Sequence, residues 1–183
     1  MLEAAGLHFT AIASDLDEDV VKRAARVRGA SAGETAFMLA EMKAKAVAAQ
    51  YPDSLVIGAD QILVCENIWF DKPANQHAAR TQLRALRGRM HDLETAVVCV
   101  RGEHRIWYNV SRPRLSMRGF SDAFLETYLA AERDEILGSV GAYRLEGRGA
   151  QLFDNIEGDF FSILGLPLLP LLGYLRHARL LGG

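Results

Sequence analysis

The sequence predicts an α/β domain with a mixed β-sheet flanked by helices, and three observations predict it. Helix signals with side-chain caps alternate with short apolar runs of strand length. Some of those runs stand singly and others read as hairpins, so the connections are not all crossovers of the kind a purely parallel sheet needs. Half of the 183 residues are hydrophobic and the net charge is -2, which suits one domain with a sizeable core. The near balance of charge points to neither duplex nucleic acid nor an anionic membrane as a partner.

In chain order, "MLEAAGL" reads as the end of a helix stopped at Gly6, "HFTAIAS" as a short strand, and "DLDED" as an acidic loop. Ser31-x-x-Glu34 is a capping box opening a helix that runs to about Gln50. Two apolar strands, 54–59 and 61–65, follow with Asp60 between them. Glu66-Asn67 reads as a turn, and the return ends in Asp71-Lys72-Pro73. Asn75 caps a helix over 76–87, on which Arg80, Arg84 and Arg87 share what reads as a solvent face. The stretch 94–117 is a hairpin turning at Gly102, and Ser121 caps a helix through Ala131. "GAYRLEG" and "AQLFDNI" read as strand pieces, and a helix follows Pro167. The most apolar segment, "ILGLPLLPLLGYL", holds two prolines and falls short of the roughly 20 residues a bilayer requires, so it reads as a core helix. Cys65 and Cys99 sit in apolar runs as small core residues, and no cysteine–histidine set has zinc spacing. With no signal-peptide pattern, a cytoplasmic location is expected.

Chemistry enters with Asp60, a carboxylate at a strand end beside small residues, followed by the polar Gln61. On the helix opened by Ser31, Lys43 shares a face with Ala36, Leu39, Ala40, Ala46 and Val47. Spacing alone leaves two readings open there, a lysine stem lying along the core and an ammonium aimed at phosphate. Lys72 precedes a proline and so lies on extended backbone. The acidic run Asp15, Asp17, Glu18 and Asp19 offers ligands for a divalent cation or a solvated loop. The five histidines form no set, and there is neither a GxGxxG nor a Walker loop. Acids, lysines and a strand-end carboxylate together suit phosphate-ester or anhydride chemistry.

At this point the chain resembles the Maf family of nucleoside triphosphate pyrophosphatases. "SDLDE", "LAEMKAKAV", "VIGADQ", "DKP" and "GSVGAYRLEGRGAQLFDNIEGDFFSILGLPL" look like the family's motifs, in order and at its spacing. The resemblance implies a single domain over 1–183 with a two-lobed Maf/ITPase-like fold around an elongated mixed sheet. It implies Asp60 as general base, Lys43 and Lys72 on the phosphates, and Glu18 on a magnesium or manganese ion. It also implies a small-molecule nucleotide as partner, with a homodimer left open. The residue after the aspartate and the one before the glycine of "LEG" are tied in the family to base selection. Here they are Gln61 and Glu146, the pair that resembles the 7-methyl-GTP branch rather than the dTTP/UTP branch. A third reading is a nucleotide-binding or cell-division regulatory protein without turnover. It draws on one departure: the family's opening strand and Ser-x-Ser-Pro-Arg-Arg loop are not matched, and Met1 aligns inside the helix that follows them. Either an in-frame segment of about ten to twenty residues lies upstream, the length of one strand and one loop, or that segment is absent.

Overall fold

The computed structural model describes residues 1–181. Among the described residues, six helices and six strands carry the fold, with short 3-10 turns between them. They are α1 (Glu18–Val27), α2 (Ala32–Ala48), β1 (Val56–Cys65), β2 (Ile68–Phe70), α3 (Gln76–Leu86), β3 (Met90–Arg101), β4 (His104–Ser111), β5 (Arg114–Met117), α4 (Asp122–Glu132), β6 (Phe153–Glu157), α5 (Phe160–Ile163) and α6 (Leu168–His177). The strand order is β2-β1-β3-β5-β6, with β4 also paired to β3. The ladders β1–β2, β3–β4, β3–β5 and β5–β6 are all antiparallel. The expected α/β sheet is therefore present, and these four ladders are antiparallel: β1–β2 and β3–β4 are hairpins, while β5 and β6 are joined through α4 and the 3-10 turns. Among the described residues, no helix is long and apolar enough to cross a membrane.

The chain divides into two compact units. The first holds Met1–Gln61, Thr95–Ser111 and Asp159–Gly183. The expected capping box is in place: Ser31 Oγ accepts from the Glu34 amide at 3.2 Å, and Glu34 accepts from the Ser31 amide at 2.8 Å. The helix it opens, α2, buries Ala36, Leu39, Ala40, Ala44, Val47 and Ala48. Lys43 therefore borders the buried stripe, and Ala46 is exposed. The segment read as the strand "HFTAIAS" forms no ladder. Phe9 and Ile12 are exposed, so its alternation has no face to bury. Sequence patterning also overlooked α1. Its signal lies in the acidic run itself, where Asp17 caps the Val20 amide at 3.1 Å and Glu18 and Asp19 occupy the first turn.

Strand β1 is continuous from Val56 to Cys65, so Asp60 sits mid-strand and not between two strands. Its residues alternate between two faces. Leu55, Ile57 and Ala59 pack with Val97, Cys99, Leu166, Leu168, Leu171 and Leu175. Gly58, on the other face, lies under α2. A Cβ there would run into the Ala40 carbonyl oxygen and stand 2.9 Å from Ala44 Cβ. Glycine at 58 is what lets α2 lie this close to the strand.

The second unit holds Ile62–Glu94 and Arg112–Gly158. The turn after β1 forms as expected, with Glu66 and Asn67 at φ of 50° and 66°, the conformation a two-residue hairpin loop demands. Asn75 and Ser121 cap α3 and α4 as read from sequence. The arginine face of α3 does not simply meet solvent. Arg80 pairs with Glu126 at 2.6 Å, and Arg84 and Arg87 pair with Asp122 at 3.2 and 2.8 Å, tying α3 to α4. "GAYRLEG" is not a strand. Gly141 and Ala142 take φ of 80° and 59°, which coils the segment into 3-10 turns, and the second piece joins the sheet only from Phe153, where β6 begins. Tyr143 anchors that coil through a 2.8 Å hydrogen bond with the buried His91, whose pKa burial lowers to about 4.

Gly58→Ala should lower stability by about 2 kcal/mol, within the usual range for overpacking. For a chain of this size that is a fall in Tm of about 4–8 °C, measurable by calorimetry. An unchanged Tm would mean that α2 can back away from β1 at no cost.

Candidate active site

In the first unit, α1, α2 and β1 bring three of the expected residues together. Lys43 Nζ lies 2.6 Å from Asp60 Oδ1 and 2.6 Å from Glu18 Oε1. The placement follows from local structure. Gly58 draws α2 onto the strand, and Lys43 lies on the turn of α2 bounded by Ala40 and Ala44, the residues that meet Gly58. Asp60 is two residues further along β1, on the same face. Glu18 reaches Lys43 from the first turn of α1. Lys22, one turn on, contacts Glu18 at 3.8 Å. Sequence reasoning did not single out Lys22, although its four-residue spacing from Glu18 is a standard helical pairing.

Asp60 is 8 % exposed. One carboxylate oxygen is held by Lys43, and the other, Oδ2, is buried with no hydrogen-bond partner. Burial pushes the Asp60 carboxyl above its usual range, against the pull of the Lys43 ammonium. Burial works the other way on Lys43, but the bonds and charges of Asp60 and Glu18 outweigh it and hold the ammonium charged. The result is a desolvated carboxylate, more basic than in water, with a free lone pair beside a fixed positive charge. That combination can take a proton from a water molecule while the cation faces an anion.

The other expected site residues sit differently. Gln61 follows Asp60, so its side chain leaves the opposite face of β1. Its Nε2 donates to Thr95 Oγ1 at 2.7 Å, Ser162 O at 2.9 Å and Ile163 O at 3.2 Å. Thr95 and Ser162 went unremarked in the sequence. The clue to Thr95 is a lone hydroxyl in an apolar strand, and the clue to Ser162 is its place three residues after the helix-capping Asp159. Lys72 and Glu146 belong to the second unit. Lys72 is exposed just before the buried Pro73. Glu146 lies in the coiled segment, where Arg144 reaches it at 3.3 Å and Glu135 at 2.9 Å. Among the described residues, no group of three or more histidine, cysteine, aspartate or glutamate side chains is arranged to hold a metal ion.

Comparison with known proteins gives a consistent picture. A family model described as Maf-like protein matches residues 1–178. A nucleoside triphosphate pyrophosphatase of Granulibacter bethesdensis is 56 % identical over 181 residues, covering 99 % of this chain and 92 % of the relative. A 7-methyl-GTP pyrophosphatase of Rhizobium meliloti is 46 % identical over 177 residues, covering 97 % of this chain and 89 % of the relative. One of Rhizobium etli, with the same name, is 43 % identical over 183 residues, covering 100 % and 92 %.

Lys43→Met should leave the buried Asp60 carboxylate without its cation, costing about 3 kcal/mol at neutral pH. The folded-state pKa of Asp60, already raised, then rises further above the unfolded value. A carboxyl with a raised folded pKa binds its proton more tightly when folded, so stability falls as pH climbs through that window and recovers as pH drops. The deficit of Lys43→Met against the unmodified protein should therefore be larger at pH 7 than at pH 5 in urea titrations. A deficit that grows in acid would show that Asp60 is not the group left uncompensated.

Proposed function

Because the chain belongs to the Maf-like protein family, we propose that it hydrolyses a nucleoside triphosphate to its monophosphate and pyrophosphate, with 7-methyl-GTP as the favoured substrate. As a nucleotide pyrophosphatase the chain is a hydrolase of phosphoanhydrides. The observation that carries the mechanism is the Asp60 carboxylate, buried, bound through one oxygen to Lys43, with its second oxygen unclaimed.

The unclaimed oxygen takes a proton from water as the water oxygen forms its bond to the α-phosphorus. The bond from that phosphorus to the bridging oxygen breaks, and the electron pair leaves on pyrophosphate. Lys43, and Lys72 with it, offset the negative charge that builds on the leaving group. Magnesium is commonly held by one or two carboxylates with substrate phosphates completing its shell. Glu18 would supply one such carboxylate to a magnesium or manganese ion, which when bound supplies positive charge to the phosphates.

Base choice is assigned to Glu146. A carboxylate can accept from both N1–H and the exocyclic amine of guanine. Methylation at N7 places positive charge on the ring, which a carboxylate favours further. A pyrimidine offers no such pair of donors. The names of the two Rhizobium relatives support this choice, whereas the Granulibacter relative carries only the general name.

Asp60→Asn should lower turnover by about 10² or more, the scale of a positioned general base, with little change in nucleotide affinity. Pyrophosphate release should favour 7-methyl-GTP over UTP and dTTP, and Glu146→Gln should narrow that preference. Faster turnover of UTP or dTTP, or a preference untouched by the substitution, overturns the substrate assignment while leaving the hydrolase class intact.

A further inference from the structure

One polar cluster lies on the face of β1 away from the Lys43 pair. The Gln61 amide has two N–H groups, and three acceptors surround them: Thr95 Oγ1, Ser162 O and Ile163 O. Thr95 Oγ1 donates its own proton to Ser162 O at 3.0 Å, which turns its lone pairs toward Gln61. Thr95 and Ser162 are both wholly buried. The two carbonyls belong to the end of α5, a single turn too short to stand by itself. Asp159 caps the other end of that turn, accepting from the Ser162 amide at 2.7 Å and its hydroxyl at 2.8 Å. The Gln61 side chain is thus gripped by β3 on one side and α5 on the other.

Asp60 is the residue before this grip. The hydrogen bond from Lys43 orients one of its carboxylate oxygens, while the other has no partner. The direction of the carboxylate therefore depends on the strand backbone from which it projects. We infer that Thr95 is a positioning residue for the hydrolysis: through Gln61 it fixes β1 at Asp60, and so aims the carboxylate, without touching the nucleotide. The inference rests on the reading of Asp60 as general base. Both donors of Gln61 are taken up inside the protein by these acceptors.

The test is steady-state pyrophosphate release from 7-methyl-GTP, GTP and UTP by Thr95→Val, Thr95→Ser, Gln61→Met and the Thr95→Val/Gln61→Met double variant. Asp60→Asn is run alongside, and near-UV circular dichroism checks folding. A misaimed base costs turnover and not binding. Thr95→Val should lower kcat about tenfold or more for every nucleotide, with KM moving less than about twofold. Thr95→Ser, which keeps the hydroxyl, should restore turnover. Gln61→Met should match Thr95→Val, and the double variant should be no worse than Gln61→Met alone, since both cut one linkage. Should Thr95→Val fail to fold, Thr95→Ala, which adds no strain, takes its place. Independently of turnover, the Asp60 carboxyl titration followed by 13C NMR should move in Thr95→Val and return in Thr95→Ser. Unchanged kcat and an unmoved titration in Thr95→Val overturn the inference alone. So does a Gln61→Met variant that alters the ratio among the three nucleotides when Thr95→Val does not, because Gln61 would then touch the base. Full activity of Asp60→Asn overturns both this inference and the general-base reading beneath it.

Discussion

A carboxylate as buried as Asp60 keeps its charge only beside a cation, and the 2.6 Å contact with Lys43 supplies it. That contact exists because α2 lies directly on β1, and α2 lies there because residue 58 has no side chain. A single missing Cβ thus sets the distance between a helix and a strand, and that distance sets the chemistry of the pair. The ammonium is held charged and burial raises the carboxyl, so a carboxylate more basic than in water sits next to a fixed positive charge. Glu18 completes the arrangement from α1, whose first turn is anchored by the Asp17 cap.

Alternation along β1 divides the work of neighbouring residues. Gly58 and Asp60 face α2, while Ile57, Ala59 and Gln61 face the packing of α5 and α6. An apolar cluster and a polar clamp therefore hold the strand from behind, while its other face carries Asp60. Such a division holds one buried carboxylate steady in a desolvated setting.

The second unit illustrates how glycine overrides strand-like composition. Gly141 packs against Leu63 with a positive φ, and Gly149 lies against the Arg144 backbone, where any side chain would collide. The segment between them coils and leaves Glu146 exposed beside Arg144, instead of alternating along a ladder. Tyr143 turns inward, to the buried His91.

Much of this protein was legible in its sequence because the relevant forces are local. The capping box at Ser31, the Asn75 and Ser121 caps, the Glu66-Asn67 turn and the Gly102 hairpin depend on residues within a few positions of one another, and all appear as read. Ordered motifs likewise pointed to Asp60, Lys43 and Glu18, and those three do meet. What sequence could not determine was whatever depended on a distant partner. "HFTAIAS" and "GAYRLEG" have strand-like composition, but a strand exists only where a neighbour accepts its hydrogen bonds. The arginines of α3 looked solvent-facing because Asp122 and Glu126 lie some forty residues away along the chain. The partners of Gln61 were hidden for the same reason, since only folding brings β3 and α5 beside it to accept from its amide.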